Sequence, residues 1–367
     1  MDGIESVLKN DEKAIFELRG LYRKYGYAQY KMSKFEEYDL YVRNKDFLVS
    51  DNIITFTDTD GKLMALKPDV TLSIIKNGAD KKDSVQKVYY NENVYRISKG
   101  SRSYKEIMQV GLECIGDIDD YCIYEALMLA AESLKNISGE YVLDISHLGI
   151  VSAVIDSLGV PDKLKHRIIK CIGEKNTFGI SEICAEVGAN PENALKLVST
   201  YGPSKKVIPV LKEMNIAKEA VAQLEKIIAL LENGGYNVNM DFSVINDMNY
   251  YNGFVFKGFI KGISSGVLSG GQYDKLMQKM GRTSGAVGFA VYLDMLERLT
   301  DNDNKYDVDA VILYDADCDI DALNNAIKLL SADGKSVTAQ RSVPEKVKYR
   351  QLLKLQERGV EILENNA

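Results

Sequence analysis

The sequence predicts an α+β protein: an antiparallel sheet flanked by helices, a helical insertion, and a small α/β unit at the C-terminal end. Three observations carry this prediction. Strand-like runs occur in consecutive pairs joined by short polar turns, which is the pattern of antiparallel hairpins. Residues from about 150 to 235 switch to short helical patterns broken by Gly and Pro. Beyond the polar tract Asp301-Asn-Asp-Asn304, strand and helix patterns alternate again. The expected organisation is a core over 1–300, with the insertion at 150–235 inside it, followed by a unit over 306–367.

The elements follow in order. Asp11 is the expected N-cap of a first helix reaching Tyr25, with Ile15, Leu18, Tyr22 and Tyr25 as its apolar stripe and Gly26 as its stop. Ile53–Thr57 and Leu63–Leu66 flank the turn Asp58-Thr-Asp-Gly61 as a hairpin. A second strand pair covers 86–97 and 104–115, and a long helix spans Tyr121–Leu134. In the insertion, Val221, Leu224, Ile227, Ile228 and Leu231 share one helical face that ends at Gly234-Gly235. Strand patterns resume at Phe242–Ile245, Phe254–Ile260 and Ser264–Ser269. The last segment reads β-α-β-α-β: Ala310–Tyr314, Ile320–Ser331, Val337–Gln340, Glu345–Gln356 and Val360–Leu363.

Composition excludes several chemistries. Apolar residues at 46% and charged residues at 27% suit a globular chain with packed cores. No apolar run approaches the ~18 residues needed to span a bilayer, and the acidic start Met1-Asp-Gly-Ile-Glu5 lacks signal-peptide character. A cytoplasmic protein with no membrane partner is expected. The cysteines (Cys114, Cys122, Cys171, Cys184, Cys318) are scattered and never form Cys-x-x-Cys, so neither a disulfide framework nor a metal site is expected. His147 and His166 have no second histidine at ligand spacing, which argues against a triad or histidine-rich centre. A net charge of -7 gives no general attraction to a polyanion.

The most informative strand is Glu106-Ile-Met-Gln-Val-Gly-Leu-Glu-Cys-Ile115. Period-two alternation places Met108, Val110, Leu112 and Cys114 on one face and Gln109, Gly111 and Glu113 on the other. Gln109 and Glu113 are then ~13 Å apart with a side-chain-free position between them. Such an amide and carboxylate could hold a small polar cation. They could equally be a solvated face of an edge strand, and periodicity alone favours that second reading.

Tyr95-Arg96 followed by Gln109-Val-Gly-Leu-Glu113 resembles motif 2 of the histidyl-tRNA synthetase family. Leu66-Lys-Pro-Asp-Val-Thr71 is similar to its Leu-Arg-Pro-Glu-Gly-Thr segment, and Met248-Asn-Tyr-Tyr-Asn-Gly253 to its histidine-specific Leu-Asp-Tyr-Tyr-Thr-Gly stretch. Ser269-Gly-Gly-Gln-Tyr-Asp274 resembles Gly-Gly-Arg-Tyr-Asp, and Ala286-Val-Gly-Phe-Ala290 leads into motif 3. The motifs run in family order to about residue 300. This resemblance implies a class II aminoacyl-tRNA synthetase-like core and a histidine-shaped pocket. By matching positions, Glu113 and Tyr251, beside Tyr250, would address the imidazole, and Asp69, Thr71 and Gln109 would receive the α-amino group. Arg96 would meet a carboxylate or phosphate, and Tyr273 would line the wall. Asp69 is one methylene shorter than the family's glutamate.

The departures from the family shape the functional expectation. Two arginines expected to stabilise the α-phosphate of ATP fall on Asn246 and Met295, and Ser98 stands where a glutamate would meet adenine. Gln272 replaces another arginine, and Ser33 takes the place of the motif 1 proline. Arg298 could substitute for the motif 3 arginine only by shifting its helix by three residues. Losing one such donor costs on the order of 10²–10³ in rate. No catalytic residues, and no cofactor, are therefore expected.

A retained pocket with lost catalytic groups is similar to the synthetase-like regulatory subunits of short-form ATP phosphoribosyltransferase, whose Leu-Arg-Pro-Asp-x-Thr segment also carries aspartate. That resemblance implies a partner catalytic subunit acting in the first step of histidine biosynthesis, L-histidine as feedback effector, and a homodimer within a hetero-oligomer. An active histidyl-tRNA synthetase and a free-standing histidine-binding paralogue are the alternatives. Residues 306–367 resemble a truncated anticodon-binding domain with Gly359-Val-Glu-Ile-Leu363 as its third strand. The acidic run Tyr314-Asp-Ala-Asp-Cys-Asp319 opposes phosphate binding, so tRNA is not an expected partner.

Overall fold

The computed structural model describes residues 8–44, 53–78, 84–97, 103–245, 248, 250–298, 305–356 and 359–366. The polar tract 301–304 lies outside them. The chain separates into a larger unit, Lys9–Leu299, and a smaller one that holds the C-terminal strands. No helix among the described residues is long and apolar enough to cross a membrane.

Strands of the larger unit, in chain order, are β1 (Ala28–Gln29), β2 (Phe35–Glu37), β3 (Thr55–Thr57), β4 (Leu63–Leu66), β5 (Val85–Ile97) and β6 (Tyr104–Gly116). They continue with β7 (Tyr141–His147), β8 (Tyr201–Gly202), β9 (Val238–Asp241), β10 (Phe254–Ile260), β11 (Leu268–Gln272) and β12 (Gly285–Tyr292). Nine of them form one sheet in the order β1-β5-β6-β12-β11-β10-β7-β9-β8, and β2-β4-β3 form a small separate sheet. The pairings are antiparallel except β1 with β5 and β7 with β9. The strand pair read at 86–97 and 104–115 is the β5–β6 hairpin, 13 residues on each side.

One face of this sheet is covered by helices Asn10–Lys24 and Asp120–Ile137. Ile123, Leu127, Ala130, Ala131 and Leu134 of the second helix join Val110, Leu112, Leu143, Ile145 and Phe256 of the strands in the main core. Asp119 caps that helix by accepting from the Cys122 N–H at 2.9 Å. The first helix begins at Asn10, so Asp11 lies in its first turn and is not its cap. Ala14, Leu18 and Tyr22 are its buried residues, and Tyr25 is exposed. The opposite face packs a second buried cluster, in which Val88, Tyr90 and Val94 of β5 meet Leu72, Tyr250, Tyr273 and Leu276, and Gln109 and Glu113 of β6 are buried on the same face.

Between β7 and β9 the chain runs through six helices, Leu148–Ser157, Asp162–Gly173, Thr177–Glu186, Glu192–Ser199, Ser204–Met214 and Lys218–Asn233. The predicted face Val221, Leu224, Ile227, Ile228 and Leu231 is buried in full. Two strand expectations shift. The strand leading back into the sheet is Val238–Asp241, and Phe242–Ile245 turn away from it, with Asp241 Oδ1 accepting from the Ser243 N–H. Ser264–Ser269 gives way to Leu268–Gln272, whose register is set by β10 and β12 on either side. Phe242 and Val244 are buried without strand geometry, which a pattern of hydrophobicity does not distinguish.

The smaller unit contains β13 (Val308–Leu313), β14 (Val337–Gln340), β15 (Tyr349–Gln356) and β16 (Gly359–Asn365), in the order β14-β13-β15-β16. Leu323, Ala326, Ile327 and Leu330 of helix Ile320–Ala332 pack on Ala310, Ile312 and Leu353. The helix expected at Glu345–Gln356 is absent among the described residues, because Tyr349–Gln356 is a strand. It pairs parallel to β13 and antiparallel to β16, burying Leu352 and Leu353 in succession. The register against β16 shifts between Leu352 and Leu353, and pairing on both edges overrides local helix propensity.

Candidate functional site

Cross-strand register places three rungs on the sheet face opposite the main core. They are Val88–Glu113–Gly288, Tyr90–Gly111–Ala290 and Glu92–Gln109–Tyr292, each running from β5 through β6 to β12. The solvated-edge reading of β6 therefore fails: the strand is paired on both sides, and Gln109 and Glu113 are only 4% and 2% exposed. The glycines are dictated by close approach. A Cβ at Gly288 would lie 1.8 Å from Glu113 Oε2 and 2.5 Å from the Leu112 carbonyl. A Cβ at Gly111 would lie 2.3 Å from the Phe289 carbonyl and 2.4 Å from the Tyr90 hydroxyl. The side-chain-free position expected at Gly111 is thus filled by Tyr90.

Glu113 is the centre of the arrangement. Thr71 Oγ1 donates to its Oε1 at 2.7 Å, and the Tyr273 hydroxyl donates to its Oε2. Burial pushes its carboxyl up to about 8; the Tyr273 and Thr71 hydrogen bonds act against that rise, and nearby Asp69 adds to it. Thr71 opens the helix Thr71–Asn77, and Asp69 Oδ1 accepts from the Leu72 N–H at 3.0 Å in the same turn. Asp69 is also raised by burial, with Leu72, Arg96 and the Thr71 backbone pulling it down. Arg96 is held in place by donating from Nε to the Pro68 carbonyl at 3.0 Å.

Aromatic side chains form the wall. The Tyr250 ring lies 4.6 Å from that of Tyr251 and 5.7 Å from that of Tyr273. Burial, followed by Asp69, Tyr251 and Glu113, drives the Tyr250 hydroxyl well above its usual range, so it remains a neutral donor. Asn252 and Asp274 fasten this wall to the strands. Asn252 Nδ2 donates to Asp274 Oδ2 at 2.9 Å, the Asp274 N–H returns to Asn252 Oδ1 at 2.8 Å, and the Ala286 N–H reaches Asp274 Oδ1 at 2.9 Å.

The structure therefore brings Thr71, Tyr273 and Asp69 to the Glu113 carboxyl, with Tyr250 within its electrostatic reach, Tyr251 packed beside Tyr250, Gln109 on the same sheet face, and Arg96 beside Pro68 and Asp69. Sequence reasoning missed Tyr90 and Tyr292, which complete the wall. Tyr90 is shifted upward by burial and then by Glu113 and Asp69, and Tyr292 by burial and by Asp69 against Arg96. Pairing the two arms of the β5–β6 hairpin would have found Tyr90 opposite Gly111. The set offers carboxyls, hydroxyls and an amide to a cationic or amphoteric ligand, and no nucleophile–base pair. Among the described residues no cluster of His, Cys, Asp and Glu could hold a metal ion.

The departures resolve in part. Met295 sits on the 3-10 turn Leu293–Arg298, packs against the main core, and receives a hydrogen bond from Ser265 Oγ on its sulfur at 3.4 Å. Gln272 supports the strands: its Oε1 accepts from the Phe254 N–H at 2.8 Å and fills the space beside Gly253. Ser33 Oγ accepts from the Phe35 N–H at 3.1 Å. Asn246, Ser98 and the side chain of Arg298 lie outside the described residues.

Comparison with known proteins bears on the family and the fold. The family model described as histidyl-tRNA synthetase matches residues 2–296. A Ruminiclostridium cellulolyticum protein named ATP phosphoribosyltransferase regulatory subunit is 26% identical, covering 86% of this chain and 80% of its own. A solved Bacillus halodurans structure described as an ATP phosphoribosyltransferase regulatory subunit/histidyl-tRNA synthetase is 25% identical. It has a TM-score of 0.70 and covers 90% of this chain and 88% of its own. A chain of the Thermotoga maritima ATP phosphoribosyl transferase complex shares the fold at a TM-score of 0.64 and 19% identity, with coverage of 78% and 98%. The match over 2–296, together with the class II-like sheet and the ordered motifs on it, shows that the chain belongs to the histidyl-tRNA synthetase family.

Proposed function

We propose that this chain is a non-catalytic regulatory subunit of ATP phosphoribosyltransferase that binds L-histidine at the Glu113 site. The observation that carries the reading is the contrast between a fully furnished acceptor site at Glu113 and a thioether, Met295, where motif 3 calls for an arginine. The name shared by the curated relatives supports the same assignment. In this reading Glu113 and Tyr251, beside Tyr250, take the imidazole, Asp69, Thr71 and Gln109 take the α-ammonium, and Arg96 takes the carboxylate. Tyr273 forms the wall and orients Glu113. The partner is a short catalytic subunit that joins ATP to phosphoribosyl pyrophosphate, within a cytoplasmic hetero-oligomer built on a homodimer of this chain. Residues 306–367 form an anticodon-binding-like unit.

The test is phosphoribosyl-ATP formation by a short catalytic subunit from the same source, with and without this chain. Activity that rises in the mixture and falls on adding histidine supports the assignment. Unchanged activity without co-elution would sink it in favour of a free-standing histidine-binding paralogue.

A further inference from the structure

We propose that Glu92 is an additional acceptor for the ligand's α-ammonium group, held in position by the buried ammonium of Lys67. The inference rests on the histidine-site reading and deepens it. Glu92 lies on the site face of β5, two residues from Tyr90 and directly across from Gln109 in the hairpin register. Its Oε2 accepts from Lys67 Nζ at 2.8 Å; the Lys67 side chain is wholly buried, and that of Glu92 keeps 17% exposure. Only the carboxylate of this pair is therefore within reach of an incoming molecule.

Energetics point the same way. Burying a lysine beside a carboxylate is a poor route to stability, since apolar residues of similar volume often do as well or better. Burial also pulls the Lys67 ammonium down against the favourable pull of Glu92. A costly pair beside a binding site has a rationale if one member still has a ligand to meet. Lys67 occupies one carboxylate oxygen and fixes the rotamer, leaving the other oxygen as a charge-assisted acceptor next to the Gln109 amide. The Glu92–Gln109 rung would then read the ammonium, and the Glu113 rung the imidazole.

Calorimetry with two ligands tests this. L-Histidine carries the ammonium; imidazole-4-propionate, its deamino analogue, lacks it. Glu92→Gln is expected to weaken L-histidine about tenfold to a hundredfold while moving the analogue less than about twofold. The double variant Lys67→Met/Glu92→Leu removes the pair without stranding a charge and is expected to give the same split. Equal weakening of both ligands would make the pair merely structural and overturn the assignment, as would unchanged affinity for both. Wild-type protein that binds neither ligand would overturn the histidine-site reading itself, and this proposal with it.

Discussion

The Glu113 strand and the turn after β12 belong to neighbouring elements of one sheet, yet they have kept different things. Around Glu113, both carboxyl oxygens have hydroxyl donors, two glycines are fixed by contacts too close for a Cβ, and Tyr90, Tyr250 and Tyr273 are buried. At the turn, Met295 packs against the core and accepts from the Ser265 hydroxyl. Recognition of a small amphoteric ligand needs the first region. Charge stabilisation on a reacting phosphate needs the second. In the proposed reading, a protein with the first region and without the second is suited to sensing a ligand rather than transforming it.

Changes at the Glu113 end should be severe. Gly288→Ala forces a methyl group onto Glu113 Oε2 and the Leu112 carbonyl. It should abolish detectable histidine binding by calorimetry and lower the melting temperature by roughly 2–8 °C. A retained site in this variant would show that the close approach of β12 to β6 is not needed. Glu113→Gln keeps the shape but removes the charge that a bound imidazolium induces, and should weaken histidine about tenfold to a hundredfold.

The same residue sets a pH dependence. The Glu113 carboxyl is raised from 4.5 to about 8 by folding, so the folded state favours its protonated form. Its contribution to stability is full below about pH 4.5 and is lost as pH rises through about 8. Melting curves from pH 5 to 8.5 should show wild type losing ground relative to Glu113→Gln; parallel curves would contradict the shift. Met295→Arg should have the smallest effect on binding, within about twofold, because the proposed histidine site does not include that turn. A larger loss would mean the two regions are coupled.

Much of the site was legible in the sequence because it obeys short-range rules. Alternation alone put Gln109, Gly111 and Glu113 on one face, and the order of the motifs brought Asp69, Thr71, Tyr250, Tyr251 and Tyr273 to it. What escaped depended on register between strands distant in the chain. Tyr90 fills the space over Gly111 only because β5 pairs with β6 residue for residue, and Tyr292 stands opposite Gln109 only because β12 pairs with β6. The misread segments share a cause as well. Tyr349–Gln356 contains leucines that a helix would also accept, but strands on both of its edges decide its conformation.

Histidine-dependent ATP–pyrophosphate exchange, measured at saturating histidine, tests most directly the claim that recognition persists without chemistry. The expected rate is indistinguishable from that without histidine, in protein shown by calorimetry to bind it. Exchange that depends on histidine and disappears in Glu113→Gln would contradict that claim and make the chain a working ligase.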